Sequence, residues 1–195
     1  MPSEPTVSDD GALRFDLPLD ELTALCWELL ERGAKDAGDP FHTAALAACD
    51  NGNPRSRTVI LRSVDPQLRR VRCYTDARSA KVAELRARPV ASWLFYDSAR
   101  RIQLRLFGRV AIHKADAVAR RAWEALPLRG RWHYCGAAPG QPAEAGGSGA
   151  ARGAELSESE AESGRPNFAV IACEVEQMDW LDLNPPGHRR ARRTR

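Results

Sequence analysis

The segment IQLRLFGRVAIH, residues 102–113, constrains the fold of this chain more than any other stretch. Apolar side chains stand at every second position of its first half, with polar side chains between them. Because successive side chains of a strand point to opposite faces, this alternation predicts a long β-strand with one buried face. Gly108 stands where the pattern changes and indicates a bulge or the close approach of another backbone. The predicted buried face consists of Ile102, Leu104 and Leu106.

The other strand-like segments mostly follow one another along the chain. Their ranges are 43–50, 56–64, 68–75, 90–96 and, as one or two strands, 167–183. The turn sequence NGNP joins the first two and predicts a hairpin. Three helical patterns accompany them. The first covers about 20–32 and ends at Gly33, the second begins directly after residue 79 and ends before Pro89, and the third covers 116–126. About six strands, mostly adjacent in sequence, predict a mainly β fold of the α+β class, an antiparallel barrel with peripheral helices.

The composition suits one domain covering residues 1–195, since 43% of the residues are hydrophobic and 28% are charged. The segment of about 136–165 has almost no large apolar side chains. It cannot bury enough apolar surface to offset the entropy lost on ordering, so we expect a flexible insertion. We also expect residues 1–15 to be flexible. No apolar run approaches the roughly 20 residues that span a bilayer, and the start lacks a signal-peptide pattern. These features predict a cytoplasmic protein without membrane contact.

Several kinds of site find no support in the sequence. The five cysteines form no C-x-x-C pair and the four histidines are isolated, so we expect reduced thiols and no metal site. Motifs for dinucleotides, P-loop phosphates, zinc proteases and serine hydrolases are absent. The net charge is only +3, but the basic sequence HRRARRTR closes the chain. Such a tail can bind nucleic acid, which we regard as the less favoured hypothesis, or remain a solvated end.

The segment YTDARSAKVAEL, residues 74–85, places positive charge and a hydroxyl at the predicted start of a helix. Free amides and the helix dipole attract anions at that end, and Arg78, Ser79 and Lys81 would strengthen the attraction. A phosphate-binding site is one interpretation. The other is that Ser79 simply caps the helix while Arg78 and Lys81 are solvated surface charges. The segment by itself leaves both open.

Four features in the same order resemble the pyridoxamine 5'-phosphate oxidase family of FMN-binding split barrels. The first is Arg57-Thr-Val-Ile-Leu-Arg62 on the second predicted strand. The next is the strand-ending Tyr74-Thr75 followed by Ser79-Ala-Lys81, and after it comes Gln103 five residues ahead of Gly108. The last is Trp180 with His188 and Arg190 downstream. The resemblance extends from about residue 44 to the C-terminus.

The resemblance implies an FMN-dependent oxidoreductase, a homodimer that binds FMN at its subunit interface and acts on a small molecule. It assigns to the cofactor Arg57, Thr58, Val59, Ile60, Leu61, Arg62, Tyr74, Thr75, Arg78, Ser79, Lys81, Gln103, Trp180 and Arg190. The phosphate would be held by Arg57, Arg78, Ser79 and Lys81, with Arg190 added from the partner subunit. Gln103 would bind the polar edge of the flavin ring, or else be a surface side chain. Trp180 would lie along the flavin, or else belong to the core.

A true oxidase of this family would take a hydride from pyridoxamine or pyridoxine 5'-phosphate and pass the electrons to oxygen. The implied substrate contacts are Arg62, Arg129 and His188, and no catalytic acid or base is implied. Arg57 and Arg62 leave opposite faces of an ideal strand, which places Arg57 at the phosphate and Arg62 nearer the ring or substrate.

The chain departs from the oxidases at three positions. Pro186 stands where they carry an arginine, Ala80 where a basic residue is common, and Arg62 where they carry a lysine. These departures indicate a retained flavin pocket and an altered vitamin-phosphate pocket. The alternative function is a flavin-binding module without turnover, or a haem or deazaflavin binder on the same scaffold.

Overall fold

A computed structural model describes residues 17–140, 157–185 and 188–195. The helices are α1 Leu19–Lys35, α2 Ala80–Ala87, α3 Ala117–Ala125, α4 Leu128–Arg131 and α5 Glu158–Glu162, and 3-10 turns cover Pro40–His42, Trp132–Tyr134 and Arg165–Asn167. The strands are β1 Thr43–Asp50, β2 Asn53–Ile60, β3 Ser63–Asp65, β4 Arg70–Asp76, β5 Val90–Asp97, β6 Ile102–His113, β7 Phe168–Asp182 and β8 Arg189–Thr194. The predicted flexible residues 1–15 lie outside the described residues.

The strands form one sheet in the order β2-β1-β5-β6-β7-β4-β3, and β8 pairs with β7 beside this path. Each neighbouring pair is antiparallel. The predicted mainly β, antiparallel arrangement with peripheral helices is therefore confirmed. β1 and β2 form the expected hairpin, in which Asn51 and Gly52 adopt positive φ angles of 49° and 88°. Two such residues are what a tight hairpin turn requires.

The alternation in β6 buries the predicted side chains, because Ile102, Leu104 and Leu106 are all enclosed in the main core. The pairing of β6 with β7 shifts register between Phe107 and Gly108. A Cβ at Gly108 would stand 1.9 Å from the carbonyl oxygen of Glu174, so only glycine allows the two backbones to approach this closely. Both parts of the expectation for Gly108 are confirmed.

Helix α1 covers one side of the barrel with an apolar stripe, but it does not end where the sequence predicts. The helix continues past Gly33 to Lys35. A Cβ on residue 33 would lie 2.6 Å from backbone atoms of Phe41, which explains the glycine by close packing rather than by a helix end. The predicted end at Gly33 is therefore wrong. The acidic first turn and basic last turn of α1 match the helix dipole.

The basic tail forms a strand that the sequence pattern does not predict. β8 runs antiparallel to β7, with Arg190 opposite Leu181 and Arg192 opposite Asp179. Carboxylates offset part of its charge, because Arg193 pairs with Asp20 and Arg195 with Glu174. The described residues form eight strands rather than about six, since β8 is added and the predicted second strand, 56–64, is divided into β2 and the short β3.

A second apolar cluster covers the outer side of β4 and β7. It packs α3 onto the sheet through Trp123, with Tyr134 and Phe168 beside it. Glu162 of α5 accepts a hydrogen bond from the Trp123 indole at 2.8 Å. Residues 157–165, which the sequence assigns to a flexible insertion, thus contribute a helix that contacts the domain, while residues 141–156 lie outside the described residues. No helix among those described is long and apolar enough to cross a membrane.

Candidate cofactor site

A tight turn joins the end of β4 to the start of α2 and positions several predicted phosphate ligands. The Asp76 carboxylate accepts a hydrogen bond from the backbone N–H of Arg78 at 2.8 Å, and its carbonyl accepts one from the Ser79 N–H at 3.1 Å. The Arg78 guanidinium pairs with the same carboxylate, with Nη2 2.6 Å from Oδ2. Asp76 therefore already offsets the charge of Arg78.

Ser79 occupies the N-cap position of α2 but does not cap the helix with its side chain. Its hydroxyl instead donates to the carbonyl oxygen of Asp76 at 2.7 Å and lies 3.2 Å from the hydroxyl of Thr75. The Ser79 side chain consequently accepts no hydrogen bond from the first N–H groups of the helix, at the positive end of its dipole, although the Ser79 carbonyl accepts one from the Val82 N–H at 3.0 Å. The interpretation of Ser79 as a simple side-chain cap is wrong.

Lys81 supplies a positive charge without a carboxylate partner. Its ammonium donates to the Thr75 hydroxyl at 3.2 Å, and no acidic residue in the described ranges forms an ion pair with it. Burial lowers the pKa of Lys81 below its ordinary value, and the positive charge of Arg57 lowers it further. An incoming anion would relieve both effects, because it would stabilise the charged form of the amine.

Arg57 reaches the same end of the barrel from β2. Its side chain is 20% exposed and lies against Glu84 of α2, which is 8% exposed. Nη2 of Arg57 lies 2.8 Å and 2.6 Å from the two carboxylate oxygens of Glu84. We call Arg57, Thr75, Arg78, Ser79 and Lys81 the phosphate seat, because the structure brings these five together around the start of α2.

The residues between Arg57 and Arg62 differ in their exposure. Val59 and Leu61 are buried in the main core, Ile60 is half-buried and Thr58 is exposed. A ligand could therefore meet Val59 and Leu61 only through their backbone atoms. Arg62 follows the end of β2 and is exposed, and its guanidinium carbon lies 5.8 Å from the centre of the Tyr74 ring.

The remaining predicted ligands, Gln103, Trp180 and Arg190, form a second group that we call the distal group. Gln103 of β6 and Arg190 of β8 both lie opposite Leu181 of β7, next to Trp180. Thr75 of the seat lies opposite Ala169, near the other end of the same strand. Roughly 40 Å of extended strand separates the two positions along β7. The structure therefore does not bring the seat and the distal group together within one chain.

The three members of the distal group have different surroundings. Gln103 is half-buried, and its side-chain amide has no hydrogen-bond partner among the described residues. Trp180 is 3% exposed, belongs to the main core and lines a pocket of ≈ 360 Å³ bordered by Arg189 and Arg190. Arg190 shares the carboxylate of Asp179 with Arg105 and Arg192. Hydrogen bonds from Arg190, and secondarily from Arg105, hold the pKa of Asp179 well below its ordinary range.

The predicted substrate contacts are also divided between the two ends. Arg62 lies beside the seat, and exposed Arg129 lies on α4, next to the cluster that contains Tyr134. His188 is exposed directly ahead of β8, on the side of the distal group. Pro186, one of the three departures from the family pattern, lies outside the described residues.

Sequence reasoning missed the two carboxylates that organise the arginines, Glu84 and Asp179. Glu84 stands three residues after Lys81 on α2, a spacing that places both side chains on one helix face and could have drawn attention to it. Asp179 directly precedes Trp180, but nothing in the sequence pairs it with the tail. Both residues restrain arginines that the resemblance assigns to FMN.

The residues present fit the phosphate and ring of FMN. The helix start lacks a side-chain cap, and Lys81 has no carboxylate partner among the described residues. Both features suit a phosphate, and arginine forks such as that of Arg57 suit its oxygens. The Gln103 amide, which has no hydrogen-bond partner in the described ranges, can both donate and accept, as the polar edge of a flavin ring requires. The charge and hydrogen-bonding capacity of these residues thus match the phosphate and ring of FMN.

Comparison with known proteins identifies a matching family and related folds. The family model described as pyridoxamine 5'-phosphate oxidase, FMN-binding domain, matches residues 25–114. Pyridoxine/pyridoxamine 5'-phosphate oxidase 2 of Arabidopsis thaliana is 30% identical over 169 residues, covering 80% of this chain and 83% of the relative. Pyridoxine/pyridoxamine 5'-phosphate oxidase of Caulobacter vibrioides is 38% identical over 92 residues, covering 47% of this chain and 40% of the relative.

A solved structure shows the same fold. The pyridoxamine 5'-phosphate oxidase-related, FMN-binding protein of Nostoc punctiforme superposes with a TM-score of 0.68, at 22% identity, over 92% of this chain and 91% of its own. The predicted split-barrel fold is thereby confirmed. The extent of the Arabidopsis match and the matching FMN-binding domain establish that this chain belongs to the pyridoxamine 5'-phosphate oxidase family.

Proposed function

We propose that this protein is an FMN-dependent oxidoreductase that works as a homodimer, with each FMN held between two chains. The observation that carries the proposal is Lys81, a half-buried cation without a carboxylate partner in the described ranges, beside an uncapped helix start. A phosphate group satisfies both features at once, because it supplies negative charge and several acceptor oxygens.

An exposed face of the sheet supports the dimer. Leu94 and Tyr96 of β5 and Phe107 of β6 are large apolar side chains exposed to solvent on this face. Strand register places Leu94 opposite Ala45 of β1, and Tyr96 opposite Gln103. Several large apolar side chains exposed on one sheet face are typical of protein interfaces. A second copy docked on it would cover an area that adjoins Gln103 of the distal group.

Each group of residues has a distinct role in this proposal. Lys81, Arg57 and the first amides of α2 bind the phosphate. Thr75 holds the Lys81 ammonium in place by accepting its hydrogen bond, and the Ser79 hydroxyl lies 3.2 Å from that of Thr75. Gln103 orients the ring edge, and Arg190 of the second chain adds charge at the phosphate. When bound, FMN supplies the two-electron redox chemistry, while the protein supplies binding, orientation and electrostatics.

The experiment that tests the function combines cofactor identification with a turnover assay. The visible spectrum of the purified protein and the mass of the small molecule released on denaturation identify the cofactor. Oxygen consumption with pyridoxine 5'-phosphate or pyridoxamine 5'-phosphate then measures oxidase activity. We expect FMN at about one per subunit, since each chain contributes one phosphate seat. Bound FMN that no electron donor reduces would contradict the catalytic part and identify a flavin-binding module.

A further inference from the structure

Two arginines and a tyrosine lie together on the outward face of β4, beside the phosphate seat. Arg72 and Tyr74 alternate with the buried Val71 and Cys73, so they share the outward face. Arg62 joins them from the end of β2, because its backbone N–H donates to the carbonyl of Arg72 at 2.8 Å. Its guanidinium carbon stands 5.8 Å from the centre of the Tyr74 ring.

Neither of these arginines has a carboxylate partner in the described ranges, in contrast to three arginines that the resemblance assigns to the cofactor. Arg57 pairs with Glu84, Arg78 with Asp76, and Arg190 with Asp179. Within the described ranges, by contrast, neither Arg62 nor Arg72 forms an ion pair. Uncompensated positive charge is thus concentrated at one place on the outward face.

Arg72 also carries a hydrogen-bond donor that the fold leaves unused. Its Nη1 donates to the Ser63 hydroxyl at 3.3 Å, but its Nε–H is buried without a partner among the described residues. The Tyr74 hydroxyl likewise has no hydrogen-bond partner in those ranges. Buried donors in native proteins are nearly always paired, so the unpaired Nε–H of the Arg72 guanidinium indicates a place for an acceptor.

Packing holds the Tyr74 side chain in place, and its hydroxyl stays protonated. The Tyr74 ring packs edge-on against Phe168, at 5.1 Å between ring centres, within the second apolar cluster. Burial raises the pKa of Tyr74, although Arg62 and Arg72 oppose the shift. The phenol therefore keeps its proton at neutral pH and can donate a hydrogen bond.

We propose that Arg62 and Arg72, together with the Tyr74 hydroxyl, bind an anionic group of the substrate, either a carboxylate or a phosphate. Planar guanidinium groups match the oxygens of both kinds of anion. The location beside the flavin rests on the proposed function, because Tyr74 and Arg62 adjoin the seat. The anion site itself rests only on the three side chains. Arg72 is the member of this site that has no role in the proposed FMN site.

Binding of matched anionic and neutral probes by the full-length protein tests this site. Isothermal titration calorimetry would compare pyridoxine 5'-phosphate with pyridoxine, and nicotinate with nicotinamide. Each pair differs in one anionic group, so the ratio of the two dissociation constants measures the anion preference. The pair with the larger preference shows whether the site takes a phosphate or a carboxylate. The proteins are wild type, Arg62→Gln, Arg72→Gln and the control Arg86→Gln, which removes one exposed positive charge from the last turn of α2.

We expect wild type to prefer the anion of at least one pair, and Arg72→Gln to lower that preference roughly 10- to 100-fold. Arg62→Gln should lower it as well, whereas Arg86→Gln should leave it within about twofold of wild type. No anion preference in wild type, or an unchanged preference in Arg72→Gln, would overturn the proposal. An Arg72→Gln variant that weakens binding of the anionic and the neutral probe equally also counts against the proposal, since only the ratio of the two dissociation constants measures contact with the anionic group.

Flavin content separates this inference from the proposed function. FMN per subunit is measured in the same four proteins, and we expect Arg72→Gln to match wild type, because Arg72 lies outside the phosphate seat. Absence of FMN from all four proteins, with the anion preference intact, would reject the proposed function and leave the anion site standing. Full FMN content without any anion preference would reject the anion site and leave FMN binding, as the proposed function requires, in place.

Discussion

Both carboxylate oxygens of Glu84 accept hydrogen bonds from Nη2 of Arg57, at 2.8 Å and 2.6 Å. The two residues come from β2 and α2, and both side chains are largely buried. Arg57 is therefore oriented before any ligand arrives. Glu84 also places one negative charge beside the phosphate seat, which lowers the net positive charge available to a phosphate.

Replacing Glu84 with Gln should separate these two effects. The amide oxygen can still accept from Arg57, while one negative charge near the seat is lost. We expect the preference for FMN over riboflavin to increase by roughly fivefold, because riboflavin lacks the phosphate. We also expect the free energy of unfolding to fall by about 1–2 kcal/mol, since a charge-assisted hydrogen bond is weakened. Flavin fluorescence titrations and urea denaturation measure these quantities. A smaller preference for FMN would mean that the charge of Glu84 is needed to orient Arg57.

The lowered pKa of Lys81 predicts how phosphate binding depends on pH. Only the protonated amine attracts phosphate, and burial together with Arg57 lowers its pKa below the ordinary 10.5. FMN affinity should therefore decline as the pH rises through the lowered pKa, while riboflavin affinity changes little over the same interval. A Lys81→Arg variant should have a flatter profile, because a guanidinium keeps its proton throughout. Parallel pH profiles for FMN in both proteins would show that Lys81 does not contact the phosphate.

The lowered pKa of Lys81 makes the stability of the flavin-free protein increase with pH, whereas it makes FMN affinity decrease. Between the lowered folded pKa and 10.5, the unfolded chain binds more protons at Lys81 than the folded chain does. The contribution of Lys81 to the free energy of unfolding should therefore rise with pH across that window. A Lys81→Met variant should lack this rise, and urea denaturation at several pH values would measure the difference. Equal pH dependence in both proteins would contradict the assigned shift.

The close approach at Gly108 predicts a large loss of stability in Gly108→Ala. The added methyl would stand 1.9 Å from the Glu174 carbonyl oxygen, so β6 and β7 would have to separate. We expect the free energy of unfolding to fall by roughly 3 kcal/mol. Gly136→Ala is the matched control, because no atom lies within 4 Å of a Cβ at that position. Similar urea midpoints for the two variants would mean that the strands adjust without cost.

Asp179 should stabilise the tail strand in a pH-dependent way. Its folded pKa is depressed by Arg190 and Arg105, so its contribution is present above the unfolded value of about 3.9 and is lost as the pH falls below it. Because the arginines are substantially exposed, we expect Asp179→Asn to cost only about 1 kcal/mol at pH 7. The difference from wild type in urea denaturation should shrink near pH 3. A constant difference at both pH values would assign the effect to packing instead of charge.

The sequence predicts the sheet well because alternation reports burial directly, as β6 shows. It does not predict β8, because Arg189, Arg190, Arg192 and Arg193 carry no apolar alternation. That strand forms only because β7 offers backbone pairing and carboxylates such as Asp179. The predicted end of α1 at Gly33 is wrong for a similar reason. Gly33 packs against Phe41, and this tertiary contact cannot be read from the sequence.

The residue types of the candidate site are predictable from the sequence, but their partners are not. Arg57 and Glu84 lie far apart in the chain and meet only because β2 and α2 pack together at the same end of the barrel. The separation between Lys81 and Arg190 becomes visible only from the register of β4, β7 and β8. A motif places residues in order along the chain without showing which chain of a dimer supplies them.

Mixed dimers test most directly whether FMN is held between two chains. One chain would carry Arg57→Ala and Lys81→Ala, the other Gln103→Ala and Arg190→Ala, with different affinity tags to isolate the heterodimer. Each homodimer should bind FMN weakly, since every site lacks one group. The heterodimer should regain one FMN of wild-type affinity per dimer, because one of its two sites is intact. A heterodimer that binds no more FMN than the two homodimers would contradict a site shared between subunits.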